Sequence, residues 1–189
     1  IQRPGLGLGA NSSHVFGAGR GGDVAAFAIE TGKQAWRTET RTLLSGGTGA
    51  GDSLVSVGST GGEVSALDPK TGAERWRARV SGEVLSAPAV SENVVAVRTV
   101  DGALRGLSPT DGREVWLHEQ QVPRLSLRGT SRPVVSGDLV ICGFDNGKVV
   151  AVNLADGALV WETPVTPPRG RTELERLVDI DSAVVVSGN

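Results

Sequence analysis

The chain has 189 residues, of which 39% are hydrophobic and 21% are charged, and its formal net charge is −2. This balance allows a packed core and is not typical of a disordered chain. It also argues against a nucleic-acid-binding protein, because phosphate contacts need clustered lysine and arginine residues and the sequence contains no such run.

The single cysteine, Cys142, excludes an internal disulfide bond and a zinc site built from cysteines. No apolar stretch reaches the roughly 18 residues that a membrane-spanning helix needs. The sequence has no recognisable signal peptide and no methionine, so we expect the chain to be a processed product or an excised fragment.

A repeat organises the chain. Four segments align without gaps, and each ends one residue after a tryptophan: AFAIETGKQAWR, ALDPKTGAERWR, GLSPTDGREVWL and AVNLADGALVWE. The tryptophans of the chain all fall in these segments, at spacings of 40, 40 and 45 residues: Trp36, Trp76, Trp116 and Trp161. A fixed period of this length is typical of repeat architectures.

Each repeat predicts four short strands. In the third repeat they cover residues 83–90, 94–99, 103–107 and 113–119, and an Asp-Gly pair between the second and third strands is a hairpin signal. Four strands in such a period make a β-propeller blade. The tryptophans are predicted to pack between neighbouring blades. The repeated glycine of the third turn is predicted to adopt a positive φ: Gly32, Gly72, Gly112 and Gly157.

We therefore predict an all-β fold, a partial β-propeller of four-stranded antiparallel blades over residues 1–189. The blades cover approximately residues 5–40, 41–80, 81–120 and 121–165, and a further blade starts within residues 166–189. Residues 5–9 and 183–186 are the predicted first strands of the first and fifth blades. Because propellers normally close their ring, we expect these blades to be part of a bigger ring.

The phrase ALDPKTGAERW resembles the repeat of the PQQ-type quinoprotein propellers, which include enzymes and non-enzymes. The enzymes imply an alternative function, a fragment of a PQQ-dependent dehydrogenase that holds a calcium ion. Many alcohol-oxidising members carry two adjacent cysteines, whereas Cys142 stands alone and is predicted to be a buried core thiol. Turn chemistry explains six aspartates without a metal: Asp52, Asp101, Asp111, Asp138, Asp145 and Asp156. We expect no cofactor, no metal and no enzymatic activity.

Two weaker motifs do not change this view. Residues 17–22 match the dinucleotide-binding pattern G-x-G-x-x-G, but no helix follows, so we predict a hairpin turn. His14 and His118 lie 104 residues apart, and neither has a serine or cysteine nucleophile motif nearby.

Two connections between consecutive blades are longer than the others. Counted from the tryptophan to the polar turn that closes the next first strand, the lengths are 16, 17, 22 and 28 residues. Equivalent connections lie on one face of a propeller, so the two insertions should emerge side by side, where binding function concentrates. The first contains Leu125, Leu127 and Arg128, and the second contains Asp179 and Asp181.

These side chains have two interpretations. An arginine near two carboxylates can form a bidentate pair, and leucines beside it would give an interface with an apolar centre and a charged rim. Alternatively, Leu125 and Leu127 are ordinary core residues and the charges are solvated.

The stretches VSGEVLSAP, VRTVDGALRGL, LSLRG and RGRTELERLVDID resemble the BamB family, the propeller lipoproteins of the bacterial outer-membrane β-barrel assembly (BAM) machinery. The resemblance runs through the whole chain. It implies an eight-bladed ring on the periplasmic face of the outer membrane, tethered by a lipidated N-terminal cysteine that this chain lacks. It also implies docking onto the POTRA domains of BamA through Leu125, Leu127, Arg128, Asp179 and Asp181.

The resemblance thus predicts a non-enzymatic scaffold that binds BamA and other BAM subunits and assists the folding and insertion of outer-membrane β-barrel proteins. A further hypothesis is that the propeller guides nascent barrel strands by edge pairing.

Overall fold

The computed structural model describes residues 6–121 and 131–165, which form sixteen strands. The first sheet contains β1 (Gly9–Ala10), β2 (His14–Ala18), β3 (Asp23–Ala28) and β4 (Gln34–Glu39). The second contains β5 (Gly49–Ala50), β6 (Val55–Gly58), β7 (Glu63–Leu67) and β8 (Glu74–Arg79). The third contains β9 (Ala89–Val90), β10 (Val95–Arg98), β11 (Ala103–Leu107) and β12 (Glu114–Glu119). The fourth contains β13 (Val134–Ser136), β14 (Leu139–Gly143), β15 (Lys148–Asn153) and β16 (Leu159–Pro164).

Each sheet is one blade, with its four strands side by side in sequence order and every neighbouring pair antiparallel. Such ordering follows from the short turns, because antiparallel neighbours need only a hairpin between them. The predicted all-β fold of four-stranded antiparallel blades is confirmed. Within the described residues, no helix is long and apolar enough to cross a membrane.

The innermost strands are shorter than the sequence predicts. The first strand of blade one is Gly9–Ala10 and not residues 5–9, and that of blade three is Ala89–Val90 and not residues 83–90. The segment before β9 bonds to other turns instead: the Val84 amide donates to the Ser59 carbonyl, and the Val100 amide donates to the Glu83 carbonyl. Most of the predicted strand is therefore interblade connection.

Three hydrophobic clusters lie between consecutive blades, so the core is a series of sheet-to-sheet layers. The first layer includes Phe16, Val24 and Leu67, and the second includes Leu54, Val64 and Val97. The third, between blades three and four, includes Leu104, Phe144 and Val152. Successive side chains of a strand point to opposite faces of the sheet. Blades two and three have a neighbouring blade on each face, which is why their strands are apolar on both faces.

One tryptophan from each of the first three blades fixes the contact with the next blade, as predicted. Their side chains are 6–8% exposed. Each indole nitrogen donates to a carbonyl oxygen of the following blade, at 2.9, 2.7 and 2.9 Å: Trp36 to Pro69, Trp76 to Pro109 and Trp116 to Leu154. The positive φ predicted for the repeated glycines is confirmed at 65–74°: Gly32, Gly72, Gly112 and Gly157. Trp161, at the outer side of blade four, is 40% exposed.

The strand order gives the blades two distinct ends. One end, which we call the connection face, carries the hairpin turns between the second and third strands and the connections between blades. The other end, the turn face, carries the remaining hairpin turns. Residues 17–22 end in one of the connection-face turns, where the Gly22 amide donates to the Gly19 carbonyl, so the predicted hairpin is confirmed.

Candidate functional site

The predicted docking residues lie outside the described part of the chain. Leu125, Leu127 and Arg128 belong to residues 122–130, and Asp179 and Asp181 belong to residues 166–189. The structure does describe the residues that flank these two segments. They are Gln121 and Ser131 on either side of the first segment, and Val165 immediately before the second.

One turn contacts all three flanking residues. We call residues 143–147, which comprise the last residue of β14 and the turn that joins it to β15 on the connection face, the junction turn. Asn146 donates from Nδ2 to the carbonyl oxygen of Gln121 at 3.3 Å and to Oε1 of Gln120 at 3.4 Å. The backbone amide of Gly143 donates to Oγ of Ser131 at 3.3 Å. The backbone amide of Val165 donates to the carbonyl of Gly147 at 2.9 Å.

Part of this arrangement belongs to the repeat and part does not. The Val165 bond has an equivalent in every blade, because the amides of Thr40, Val80 and Gln120 also donate to the last glycine of the corresponding turn. The Asn146 bonds have no such equivalents, since the other blades place Gly21, Gly61 or Asp101 at this turn position. Asn146 therefore serves the third junction specifically.

A buried ion pair lies directly behind the junction turn. Arg98 Nη2, at the end of β10, contacts Oδ1 of Asp145, and the two side chains are 3% and 1% exposed. The Arg98 guanidinium also lies over the Phe144 ring, 5.4 Å from its centroid, in a cation–π contact. Arg98 thus binds two consecutive residues of the turn from the neighbouring blade.

The sequence interpretation of Asp145 needs correction. Asp145 does lie in a turn, as predicted, but turn chemistry does not account for it, because its carboxylate is buried and paired with an arginine from another blade. A signal was available in the repeat alignment: the last residue of the second strand is Ala18, Gly58 or Gly143 in the other blades, and a long charged side chain only at Arg98.

Cys142 lies beneath the same turn and is fully buried, which confirms the predicted core thiol. Burial raises the pKa of the Cys142 thiol to about 12, because a thiolate would lose its hydration there. The neighbouring Arg98 guanidinium opposes this shift only in part. At neutral pH the group is a protonated thiol that packs as a small apolar side chain.

A polar cluster lies next to the first flanking residue. Lys148 Nζ lies 2.5 Å from Glu162 Oε1, and Gln120 Nε2 donates to Glu162 Oε2 at 3.3 Å. The Lys148 contact is the main reason that the pKa of Glu162 falls below its usual value. Burial lowers the pKa of His118, whose Nε2 lies 3.2 Å from Gln120 Nε2. Partly exposed charges therefore lie beside Gln120, next to the start of the first long connection.

The described residues contain no cluster of side chains that typically bind metal ions. Among residues 6–121 and 131–165, no group of three or more histidine, cysteine, aspartate or glutamate side chains could hold a metal ion. Within the same ranges His14 contacts the adjacent Ser13 hydroxyl at 2.8 Å, at the exposed Asn11 turn of the turn face. That contact between chain neighbours is a turn interaction, far in sequence from His118.

Comparison with known proteins identifies the family of this chain. The family described as outer membrane protein assembly factor BamB matches residues 20–189. The outer membrane protein assembly factor BamB of Alkalilimnicola ehrlichii is 54% identical over 65 residues, which are 34% of this chain and 17% of that protein.

Two solved structures superpose on this chain. The crystal structure of BamB from Moraxella catarrhalis superposes with a TM-score of 0.89 at 30% identity and covers 96% of this chain and 55% of that chain. This chain therefore spans about half the length of that relative. A quinohemoprotein alcohol dehydrogenase from Pseudomonas putida superposes with a TM-score of 0.63 at 17% identity, over 84% of this chain and 34% of that chain. The second likeness shows the shared propeller fold alone.

Proposed function

The chain belongs to the family of the outer membrane protein assembly factor BamB, and from this we propose that it is a non-enzymatic scaffold of the outer-membrane β-barrel assembly machinery. It docks onto the periplasmic POTRA domains of BamA and, through them, assists the folding and insertion of β-barrel proteins. It works at the periplasmic face of the outer membrane, where the full-length protein is held by a lipid anchor and completes an eight-bladed ring.

The observation that carries this proposal is the set of contacts made by the junction turn. Its Asn146 side chain bonds to Gln121, where the first long connection begins, and its Gly147 carbonyl accepts the amide of Val165, where the second begins. The first connection therefore begins at the end of blade three and the second at the end of blade four, and both begin beside this one turn. Two long loops that start together can present a single surface, which is what a docking site on a rigid scaffold requires.

The proposed roles follow from the residue types. Leu125 and Leu127 supply the apolar centre of the docking surface, where desolvation contributes most to affinity. Arg128 supplies a planar charge with several donors, suited to a carboxylate. Asp179 and Asp181 either hold Arg128 in position or meet basic groups of the POTRA domain.

The alternative, a fragment of a PQQ-dependent dehydrogenase, has less support. It rests on a repeat resemblance and on a likeness at 17% identity, which speaks for the fold only. The one cysteine is a buried thiol and not one of an adjacent pair. An absorbance titration with PQQ and calcium separates the two functions, because only the dehydrogenase predicts saturable cofactor binding.

Calorimetric titration of the BamA POTRA domains into this protein tests the proposal. Arg128→Glu should weaken binding by about 2–5 kcal/mol, on the order of thirty-fold or more, because it reverses a charge that becomes desolvated at the interface. The matched control is Arg113→Glu, which reverses an exposed arginine on the turn face and should leave affinity within about twofold.

Equal loss in both variants would point to long-range charge attraction instead of a docking loop. Equal affinity for the wild type and Arg128→Glu would show that Arg128 does not contribute to docking. If the wild type fails to bind, the titration is repeated with the full-length ring, and a second failure there contradicts the proposed function.

A further inference from the structure

We infer that the buried Arg98–Asp145 ion pair is a positioning device for docking: it fixes the junction turn, beside which both long connections begin. The inference rests on the proposed function and names the residues that set the orientation of its docking surface. Neither residue belongs to the segments that the sequence predicts to touch the partner, so both act through the turn that they hold.

The junction of blades two and three has an apolar contact at the equivalent position. At the junction of blades two and three, the position of Arg98 is occupied by Gly58, and Val84 from the following connection packs against it. A Cβ added at Gly58 would lie 2.3 Å from Cγ1 of Val84, so the valine fills the space completely. The third junction replaces this apolar contact between strand and connection with an ion pair between strand and turn.

The ion pair is poorly explained as a device for stability. Both side chains are at least 97% buried, and Oδ2 of Asp145 accepts no hydrogen bond from the described residues. Burying two charges costs free energy that their attraction offsets only when the geometry and the remaining hydrogen bonds are good. An apolar contact like that at Gly58 avoids this cost. A pair retained under these conditions is better suited to fixing one geometry than to adding stability.

The geometry connects the pair to the flanking residues in a short chain of contacts. Arg98 holds Asp145 by charge and Phe144 by the cation–π contact, so two successive residues of the turn are fixed against blade three. The next residue, Asn146, bonds to Gln121, and Gly147 accepts the amide of Val165. A shift of the turn would therefore move the starting points of both connections together.

The test uses the full-length protein with both charges removed as Arg98→Met/Asp145→Val. Methionine follows the path of the arginine stem, and valine already occupies the equivalent turn position in blade three as Val100. Because both charges disappear together, no unpaired buried charge remains and the fold should persist. The matched control is Arg105→Met/Glu114→Gln, which removes an ion pair within blade three, between the buried Arg105 of β11 and the exposed Glu114 of β12.

Two readouts are expected to change together. Amide hydrogen exchange at Gly143 and Val165 should accelerate about tenfold or more in Arg98→Met/Asp145→Val, because both amides bond at the ends of the junction turn. Affinity for the POTRA domains should fall about tenfold or more. In the control variant both quantities should stay within about twofold of the wild type. Arg98→Met/Asp145→Asn, which keeps the shape of the aspartate side chain and also leaves no unpaired charge, should show the same changes and serves if Arg98→Met/Asp145→Val does not fold.

The exchange readout needs no partner, so it separates the two claims. Unchanged exchange at Gly143 and Val165 overturns the inference, whatever the affinity. Faster exchange with unchanged affinity overturns it as well, because the turn would then be held without consequence for docking. A wild type that fails to bind the POTRA domains contradicts the proposed function and, with it, the docking role of the pair.

Discussion

The indole ring of Trp76 lies directly on the backbone of Gly112 in the next blade, so closely that a Cβ on Gly112 would come within 2.5 Å of Cε3 of the ring. The indole nitrogen of the same tryptophan donates to Pro109 at 2.7 Å. The pairs Trp36–Gly72 and Trp116–Gly157 repeat this contact. The repeated glycine thus has two roles. It adopts the positive φ that its own turn requires, and its lack of a side chain lets the tryptophan ring of the preceding blade pack against the backbone.

Gly112→Ala should therefore destabilise the protein by about 2–4 kcal/mol, because the new methyl group combines left-handed backbone strain with a clash against a buried ring. Gly32→Ala is the matched control. Gly32 has a φ of 65° against 74° at Gly112, but nothing lies within 4 Å of its would-be Cβ. Only the strain of about 1 kcal/mol should remain there. Chemical denaturation of both variants measures the difference, and equal losses would show that the glycine serves only its turn.

The indole nitrogens make a second prediction possible. Trp116→Phe removes the donor to the Leu154 carbonyl, a buried bond of 2.9 Å, and leaves that carbonyl without this partner. We expect a loss of about 1–3 kcal/mol in the free energy of unfolding. Trp161→Phe, at a ring that is 40% exposed, should have a clearly smaller effect. A loss at Trp161 as large as at Trp116 would contradict the role given to the interblade bond.

The repeat made the fold predictable, because each tryptophan, turn glycine and strand recurs at the same position of its repeat. It could not give the ends of the innermost strands. These depend on how closely neighbouring inner strands approach: a Cβ on Gly49 would lie 2.0 Å from the Pro88 carbonyl oxygen, which belongs to another blade. Contacts of this kind are tertiary, and strand propensity carries no information about them.

Cys142 should be inert in the native protein. Its thiol is fully buried and its pKa is raised to about 12, so neither access nor the thiolate form is available at pH 8. A colourimetric thiol reagent should report no reaction until denaturant unfolds blade four, and one thiol per chain afterwards. Fast reaction under native conditions would contradict the packing described around the junction turn.

Asp68 should contribute to the acid sensitivity of stability. The Arg75 guanidinium, 2.5 Å away, holds the pKa of Asp68 at about 2, below its ordinary value of 3.8. Since the folded-state pKa is the lower one, the stabilising contribution is present above about pH 3.8 and is lost as the pH falls toward 2.

Asp68→Asn should therefore lower stability at neutral pH and lose this disadvantage between pH 4 and 2. Both side chains are partly exposed, so the difference will be modest and smaller in high salt. Thermal unfolding across that pH range is the measurement. Arg75→Ala should behave in the same way, and a difference from the wild type that is independent of pH would contradict the assignment.

The lengthened connections and the family resemblance predict two docking segments, because an insertion is visible against a regular repeat, and these segments stay a prediction. The sequence reasoning did not find the junction turn beside which they begin. Arg98 and Asp145 lie 47 residues apart in different blades, and only the packing of one blade on the next brings them together. Asp145 also lies where an aspartate is common in turns, so its turn position offered an explanation that did not involve its tertiary contact with Arg98.

The most direct test of the docking account is site-specific photocrosslinking on the two ends of the propeller. A photoreactive phenylalanine derivative is placed at Gln121 on the connection face or at Glu92 on the turn face, both exposed, in full-length protein mixed with the BamA POTRA domains. The account predicts a crosslinked product from position 121 and none from position 92. Crosslinking from position 92 with none from position 121 would place the partner on the opposite face and contradict the account.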